Sequence, residues 1–276
     1  FDTPGERFYY SNSGIVILGA IIEKITGQSY SEYIKENILI PTNMNDTGIK
    51  YLDDMIENRA TGYIKSISGN YQKNIYKIPT AGPAGGILST VEDLLKLDQA
   101  LYGTKLLSTT SKEKMFTGID PGYGYAFQVE NRNGNKIVGH GGGAPGFTSN
   151  FSRYLKDKYA LIVLSNYDRI AKEVSDAIEA ILYNKDYKLP KQKLEQFIYQ
   201  QENKITNLKS TKEIADFLKK KEYTPRFGGP LNYVGYELMK EGKRAYAIKI
   251  FKLNAHLFPN VPNVYDSLGE AYEKNR

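Results

Sequence analysis

The stretch Tyr123–Asn166, YGYAFQVENRNGNKIVGHGGGAPGFTSNFSRYLKDKYALIVLSN, decides the fold. Its residues fall into four short runs, Tyr123–Glu130, Lys136–His140, Phe147–Tyr154 and Tyr159–Asn166, separated by turn-forming residues. Asn133-Gly134 and Lys156-Asp157-Lys158 sit where tight hairpin connections belong. Four such runs in succession predict an antiparallel meander. The helical stretch from about Ile170 to Tyr183 is expected to pack on it.

Upstream the period is helical. Asn12–Thr26 reads as a helix with Asn12 as N-cap, Gly27 as its stop, and Ile15, Leu18, Ile22 and Ile25 as its apolar stripe. A second helix runs from Ser31 to about Ile38, limited by Pro41. Thr47–Pro79 is polar and tyrosine-rich, which predicts loops with short strands. After the glycine-rich turn Gly82–Gly86, Ser89 and Glu92 form a capping-box pattern before a helix Val91–Tyr102. Helices, then strands, then a terminal helix make an α+β layer fold, an antiparallel sheet flanked by helices.

Downstream of Tyr183 the composition shifts, and the expected organisation is a first domain 1–184, a linker 185–230 with one short helix Thr211–Lys221, and a repeat segment 231–276. Leu231, Gly235, Leu238, Ala247, Phe251 and Pro259 fall at tetratricopeptide spacing, and Gly269 follows Gly235 by 34 positions, that repeat's period. Small residues at Gly235, Ala247 and Gly269 would let helices approach closely, with Phe251 filling the gap.

The composition is that of a globular protein: 41% hydrophobic, 25% charged and no cysteine, which excludes disulfides and thiolate chemistry. The longest apolar run, Ile15–Ile22, is far too short to span a bilayer, so no transmembrane segment is expected. The net charge of +6 is read as spread along the chain, densest at Lys219–Lys221 and explained by a solvated helix face. No nucleic-acid partner is expected. The two histidines, His140 and His256, lie far apart, which argues against a metal site, and no cofactor is called for.

Two segments could carry chemistry. Tyr10-Ser11-Asn12 places a phenol and an amide just before a helix. His140-Gly141-Gly142-Gly143 is expected at the end of a strand. A tyrosine beside a cation can act as a base, and glycines on a strand edge let a substrate reach backbone N–H groups that hold an oxyanion. Taken singly, each has a plainer role: Tyr10 as a core aromatic, Asn12 as a cap, His140 as a structural residue.

Together they resemble a known family. FDTPGERFYYSNSG (1–14) with the helix ending Thr26-Gly27 resembles the tyrosine-motif region of serine β-lactamase-like and penicillin-binding-protein hydrolases of the class C type. GGILSTVEDL (85–94) is similar to a further stretch of that family. GHGGGAPGFTS (139–149) resembles its third motif, with His where relatives have Lys. The resemblance covers about residues 1–183. It implies acyl transfer through an acyl-enzyme: Tyr10 in proton transfer, Asn12 orienting substrate, His140 on the substrate-carboxylate side, Gly143 N–H as an oxyanion donor, and Gly141 and Gly142 against the substrate. Imidazole as a class is largely uncharged at pH 7, which favours a peptidase or esterase over a dedicated β-lactamase.

The family's nucleophile, in a Ser-x-x-Lys motif, precedes the tyrosine motif by several dozen residues. Only nine residues precede Tyr10 here, and the single match, Ser111…Lys114, follows it in a polar segment where Ser111 reads as a helix cap. The chain starts at Phe1 and stops within a repeat. The expectation is therefore a fragment of a serine hydrolase, inactive alone, acting on a small-molecule or peptide acyl substrate in a periplasmic or extracellular setting. The repeats would serve a protein partner. The competing reading is a non-catalytic, hydrolase-like binding protein.

Overall fold

The structure, a computed structural model, describes residues 3, 6–49, 54–74, 81–118, 122–167 and 170–274. Residues 1, 2, 4 and 5 of the tyrosine motif, and parts of the loop expected over 47–79, lie outside the described residues. The chain divides into two compact units, 1–64 with 73–190, and 65–72 with 191–276.

Unit 1 opens with α1 (Asn12–Thr26), as its periodicity predicts. The cap differs. Ser11, in extended conformation, accepts a bond from Gly14 N–H, and Asn12 is the first helical residue, so its amide is not spent on capping. Gly27 stops the helix at φ 72°. The predicted stripe is not buried either: Leu18 and Ile25 are exposed, as are Val16, Ile17 and Ile21, and only Gly19 is buried. A side chain at Gly19 would collide with the Pro83 ring, so this glycine seats α1 on the Gly82–Gly86 loop.

α2 (Tyr30–Ile34) starts on a capping box between Ser29 and Glu32. It widens into a π turn at Lys35–Leu39 and ends as α3 (Ile40–Thr42). The helical path thus continues through Pro41, which lacks the N–H an α-helical ladder would need. The short strands expected in the loop are β1 (Tyr63–Lys65) and β2 (Tyr71–Lys73).

α4 (Val91–Ala100) is capped by Thr90, which accepts from Asp93 N–H; the Ser89 hydroxyl lies instead 2.7 Å from Thr47 Oγ1. Asp93, fully buried, accepts from Asp46 N–H, Thr47 Oγ1 and Lys96 Nζ at 2.7–2.8 Å. It thereby ties the loop after α3 to α4. α5 (Thr109–Met115) is capped by Ser108; Ser111 is inside the helix and is not the cap.

The meander is a four-stranded antiparallel sheet in sequential order. Its strands are β3 (Gln128–Arg132), β4 (Asn135–Ala144), β5 (Phe147–Tyr154) and β6 (Tyr159–Ser165). α6 (Ala171–Leu182) packs on one face, where Asn150 donates to Ser175 Oγ (2.7 Å), Arg132 pairs with Glu179 (2.9 Å) and Thr148 Oγ1 accepts from Ala171 N–H (3.3 Å). α4 covers part of the other face through a buried ion pair, Arg153 Nε to Asp98 Oδ1 at 2.5 Å, with Arg153 Nη2 donating to the Asp98 carbonyl. The rings of Tyr102 and Phe116 lie 4.8 and 5.4 Å from the guanidinium carbon, which gives the buried cation π-faces as well as a carboxylate.

Unit 2 departs from the expected linker. Residues 185–230 hold not one complete helix but three, α7 (Leu194–Gln200), α8 (Glu202–Thr206) and α9 (Thr211–Lys220). Their Ile198, Ile205, Ile214 and Leu218 are buried in one cluster with Leu231, Val234, Leu238, Ile250, Phe251 and Leu253. Those come from α10 (Gly229–Lys240) and α11 (Arg244–Leu257), and α12 (Pro262–Glu273) adds Ala271. A charged, weakly periodic sequence hid this because each short helix supplies only one or two anchors. Gly235 lies against the Phe251 ring, as expected, whereas Gly269 has open space where a side chain would be. The hairpin tip 65–72 belongs to this unit, with Ile67 in its core.

The charge is not evenly spread. Residues 1–190 hold 21 Lys or Arg and 21 Asp or Glu, while 191–276 hold 16 and 10, so the whole excess lies in the later segment. No helix of the described residues is long and apolar enough to cross a membrane.

Candidate active site

β4 is longer than its sequence run predicts, because the glycines that lower strand propensity are held by pairing along β5. The register is His140↔Phe151, Gly141↔Asn150, Gly142↔Ser149 and Gly143↔Thr148. On the other side β3 stops opposite Gly139, so among the described residues no strand covers 140–144 there.

The orientation of that edge follows from the turns. Ala144↔Phe147 and Arg132↔Asn135 close two-residue hairpins, whose closing pairs exchange hydrogen bonds. Alternation then turns the backbone of Gly139 toward β3, and with it the N–H and C=O groups of Gly141 and Gly143 toward the open edge. A Cβ built on Gly143 would meet nothing within 4 Å. The fold itself does not demand glycine there.

His140 stands at the start of this edge with its ring among aromatics. Tyr10, exposed and just ahead of α1, stacks on it with centroids 6.0 Å apart and planes 29° apart. Tyr123 lies edge-on to both rings, at 5.7 Å from His140 and 6.1 Å from Tyr10, and Phe8 closes the group 5.0 Å from Tyr123. The Tyr123 hydroxyl is 2.7 Å from His140 Nε2, and His140 Nδ1 is 2.6 Å from the Gly141 carbonyl oxygen. Burial, and then the nearby Tyr10, push the Tyr123 phenol above its usual pKa, so it stays a proton donor.

The structure thus brings together Tyr10 and His140, which are 130 positions apart, beside Gly141, Gly142 and Gly143. Asn12 is exposed at the first position of α1, with no side-chain hydrogen bond among the described residues. His256 is exposed on α11, away from these residues in sequence and in the other unit. Sequence reasoning missed Tyr123. It was read as an ordinary strand residue, but with Gly122 and Gly124 on either side it stands outside β3, in an isolated antiparallel bridge to Gln128. Ser111 and Lys114 lie on α5, where Ser111 N–H and Oγ are engaged with Ser108.

This geometry offers a pair of phenols, an imidazole and an unpaired glycine-rich edge, a set suited to holding an acyl group and moving a proton. Comparison with known proteins gives the family. A family model described as Beta-lactamase matches residues 1–184. Penicillin-binding protein 4* of Bacillus subtilis (strain 168) is 33% identical over 210 residues, 68% of this chain and 46% of that protein. D-aminopeptidase of Brucella ovis is 26% identical over 178 residues, 62% of this chain and 34% of its own. The crystal structure of a penicillin binding protein from Bacillus halodurans superimposes with a TM-score of 0.61 at 30% identity, covering 65% of this chain and 57% of the other. The chain spans less than half the length of the two curated relatives. With two thirds of its length matched by the family model, and with the tyrosine and glycine motifs meeting in space, the chain belongs to the beta-lactamase family of serine hydrolases.

Proposed function

We propose that unit 1 is the acyl-holding part of a serine peptidase, amidase or esterase, whose nucleophile comes from a Ser-x-x-Lys segment outside this chain. The carrying observation is the stacking of Tyr10 on His140 beside the open edge of β4. An acyl group lying along that edge would direct its carbonyl oxygen to Gly143 N–H. Serine Oγ adds to the carbonyl carbon, and its proton passes by way of Tyr10 to the leaving amine or alcohol, which departs as the acyl-enzyme forms. Water then adds to the ester and releases the acid. Asn12, free of capping duty, orients the substrate. The names of the relatives support peptides or amides with D-amino acids as substrates, and penicillins as ligands. A periplasmic or extracellular location suits such substrates.

We read α10–α12 as tetratricopeptide units that present a surface to a protein partner. The 34-position spacing and the packing of Gly235 on Phe251 support this; Gly269 lacks the close neighbour that the repeat would give it. The second reading, a hydrolase-like binding protein without catalysis, draws on one fact: the sole Ser-x-x-Lys, Ser111…Lys114, follows Tyr10 and is built into α5.

A fluorescent penicillin decides between them. The chain alone should take no covalent label. The parent reading frame, carrying Ser-x-x-Lys ahead of Tyr10, should be labelled, and Tyr10→Phe should slow that labelling by about 10²–10⁴-fold. A full-length parent with no such motif and no label would leave the binding-protein reading.

A further inference from the structure

Both nitrogens of His140 are already engaged. A carbonyl oxygen only accepts, so the 2.6 Å contact with Gly141 places the proton on Nδ1. The neutral ring then has its lone pair at Nε2, and the Tyr123 hydroxyl, 2.7 Å away, is the donor to it. The ring plane is fixed as well, by Tyr10 stacked over one face and Tyr123 standing at 88° to it. Phe8, against Tyr123, holds the phenol from behind.

We propose that Tyr123 is a positioning residue for His140, locking its imidazole in the Nδ1–H form so that this wall of the site meets a ligand as a hydrogen-bond acceptor. The phenol has spent its proton on Nε2, and its oxygen keeps lone pairs to offer. The imidazole keeps no N–H for a carboxylate. An acyl ligand whose end at this wall is an amide or ammonium, a donor, fits better than one ending in carboxylate. The substrate part of this inference rests on the acyl-site reading above; the lock itself does not.

The test uses the full chain with ¹⁵N-labelled histidine. There are two histidines, and His256→Gln assigns the signals. At alkaline pH, His140 should show a protonated Nδ1 and a hydrogen-bonded, unprotonated Nε2, the reverse of the form favoured by free histidine. Tyr123→Phe should shift the Nε2 signal toward a free ring nitrogen or let the proton exchange between nitrogens. Tyr10→Phe, which removes no bond to the ring, should leave the tautomer unchanged. A wild-type His140 protonated on Nε2 overturns the lock, whatever the variants do, and so does an Nε2 signal that ignores Tyr123→Phe while the amide-exchange protection of β4 and β5 shows unit 1 intact. For the ligand, N-acetyl-D-alanine amide should perturb the His140 signals at lower concentration than N-acetyl-D-alanine; the reverse order overturns the donor preference. A lock that persists while neither compound binds supports the role of Tyr123 and counts against the acyl-site reading instead.

Discussion

The two units bury their apolar residues in different ways. Unit 2 draws Ile198, Ile205, Ile214, Leu231, Leu238, Phe251 and Leu253 into one continuous cluster, each essentially inaccessible to solvent. Unit 1 has a small cluster at the far end of its sheet, Ile137, Tyr154 and Leu161, and leaves most apolar residues of α1 exposed, Ile25 by 78%, with Ile15 and Ile22 half-buried. Its long-range joints are polar: Asp93 to the loop after α3, Arg153 to Asp98, Asn150 to Ser175. Apolar burial is non-directional and forgiving, whereas buried polar joints hold only one arrangement and fail when one partner is lost. The unit that must place Tyr10 against His140 is built on the second kind.

That contrast can be broken by substitution. Phe251→Ala should cost unit 2 about 3–5 kcal/mol, read as loss of amide-exchange protection in α10 and α11. If protection there survives, the cluster is not what holds unit 2. Asp98→Ala leaves the Arg153 guanidinium buried without its carboxylate and should cost unit 1 up to about 3–5 kcal/mol. Asp98→Ala and Arg153→Met combined should recover much of that loss, and a double variant as unstable as the single would show that the ion pair is not the cause.

A smaller effect concerns acid. Burial works to raise the Asp93 carboxyl, but the bonds from Lys96, Thr47 and the Asp46 N–H outweigh it, and the folded-state pKa lies below the ordinary value of 3.8. A depressed carboxylate contributes stability that is present above its unfolded pKa and lost as pH falls through the folded one. Unit 1 should therefore weaken below about pH 4, and Asp93→Asn should blunt that dependence. An acid profile unchanged by Asp93→Asn would remove this joint from the account. The smallest effects belong to the exposed positions. Ile17→Lys on α1 and Gly143→Ala on β4 should each alter stability by no more than about 0.5 kcal/mol. A large loss from Ile17→Lys would mean that α1 is buried in solution after all. Gly143→Ala should nonetheless impair any acyl chemistry along that edge.

Much of unit 1 was legible in its sequence because alternation and turn residues act locally. Phe147–Tyr154 and Asn133-Gly134 came out where the pattern put them, and α1 ended at Gly27. The caps were misread by one residue at Ser11 and Thr90, since adjacent Ser, Thr and Asn compete for the same N–H groups and sequence does not rank them. The pairing of Tyr10 with His140 was reachable only through family resemblance, and Tyr123 was missed because its partner is 17 positions away and the segment around it has no strong period. Unit 2 was half legible. The helix pair around Gly235 and Phe251 followed from spacing, while α7 and α8 are too short for a period to stand out.

The hairpin between β1 and β2 bears on how the gene could be divided. Its tip, residues 65–72, counts with unit 2 and gives Ile67 to that core, although more than a hundred residues of unit 1 follow before the rest of unit 2 begins. No single cut therefore separates the two units intact. A polypeptide ending at Pro190 would carry an orphaned apolar tip, and one starting at Lys191 would fold around a missing isoleucine. The helical unit is not an appendage that recombination could add to a finished unit 1 in one step, because a segment inside unit 1 already supplies part of it.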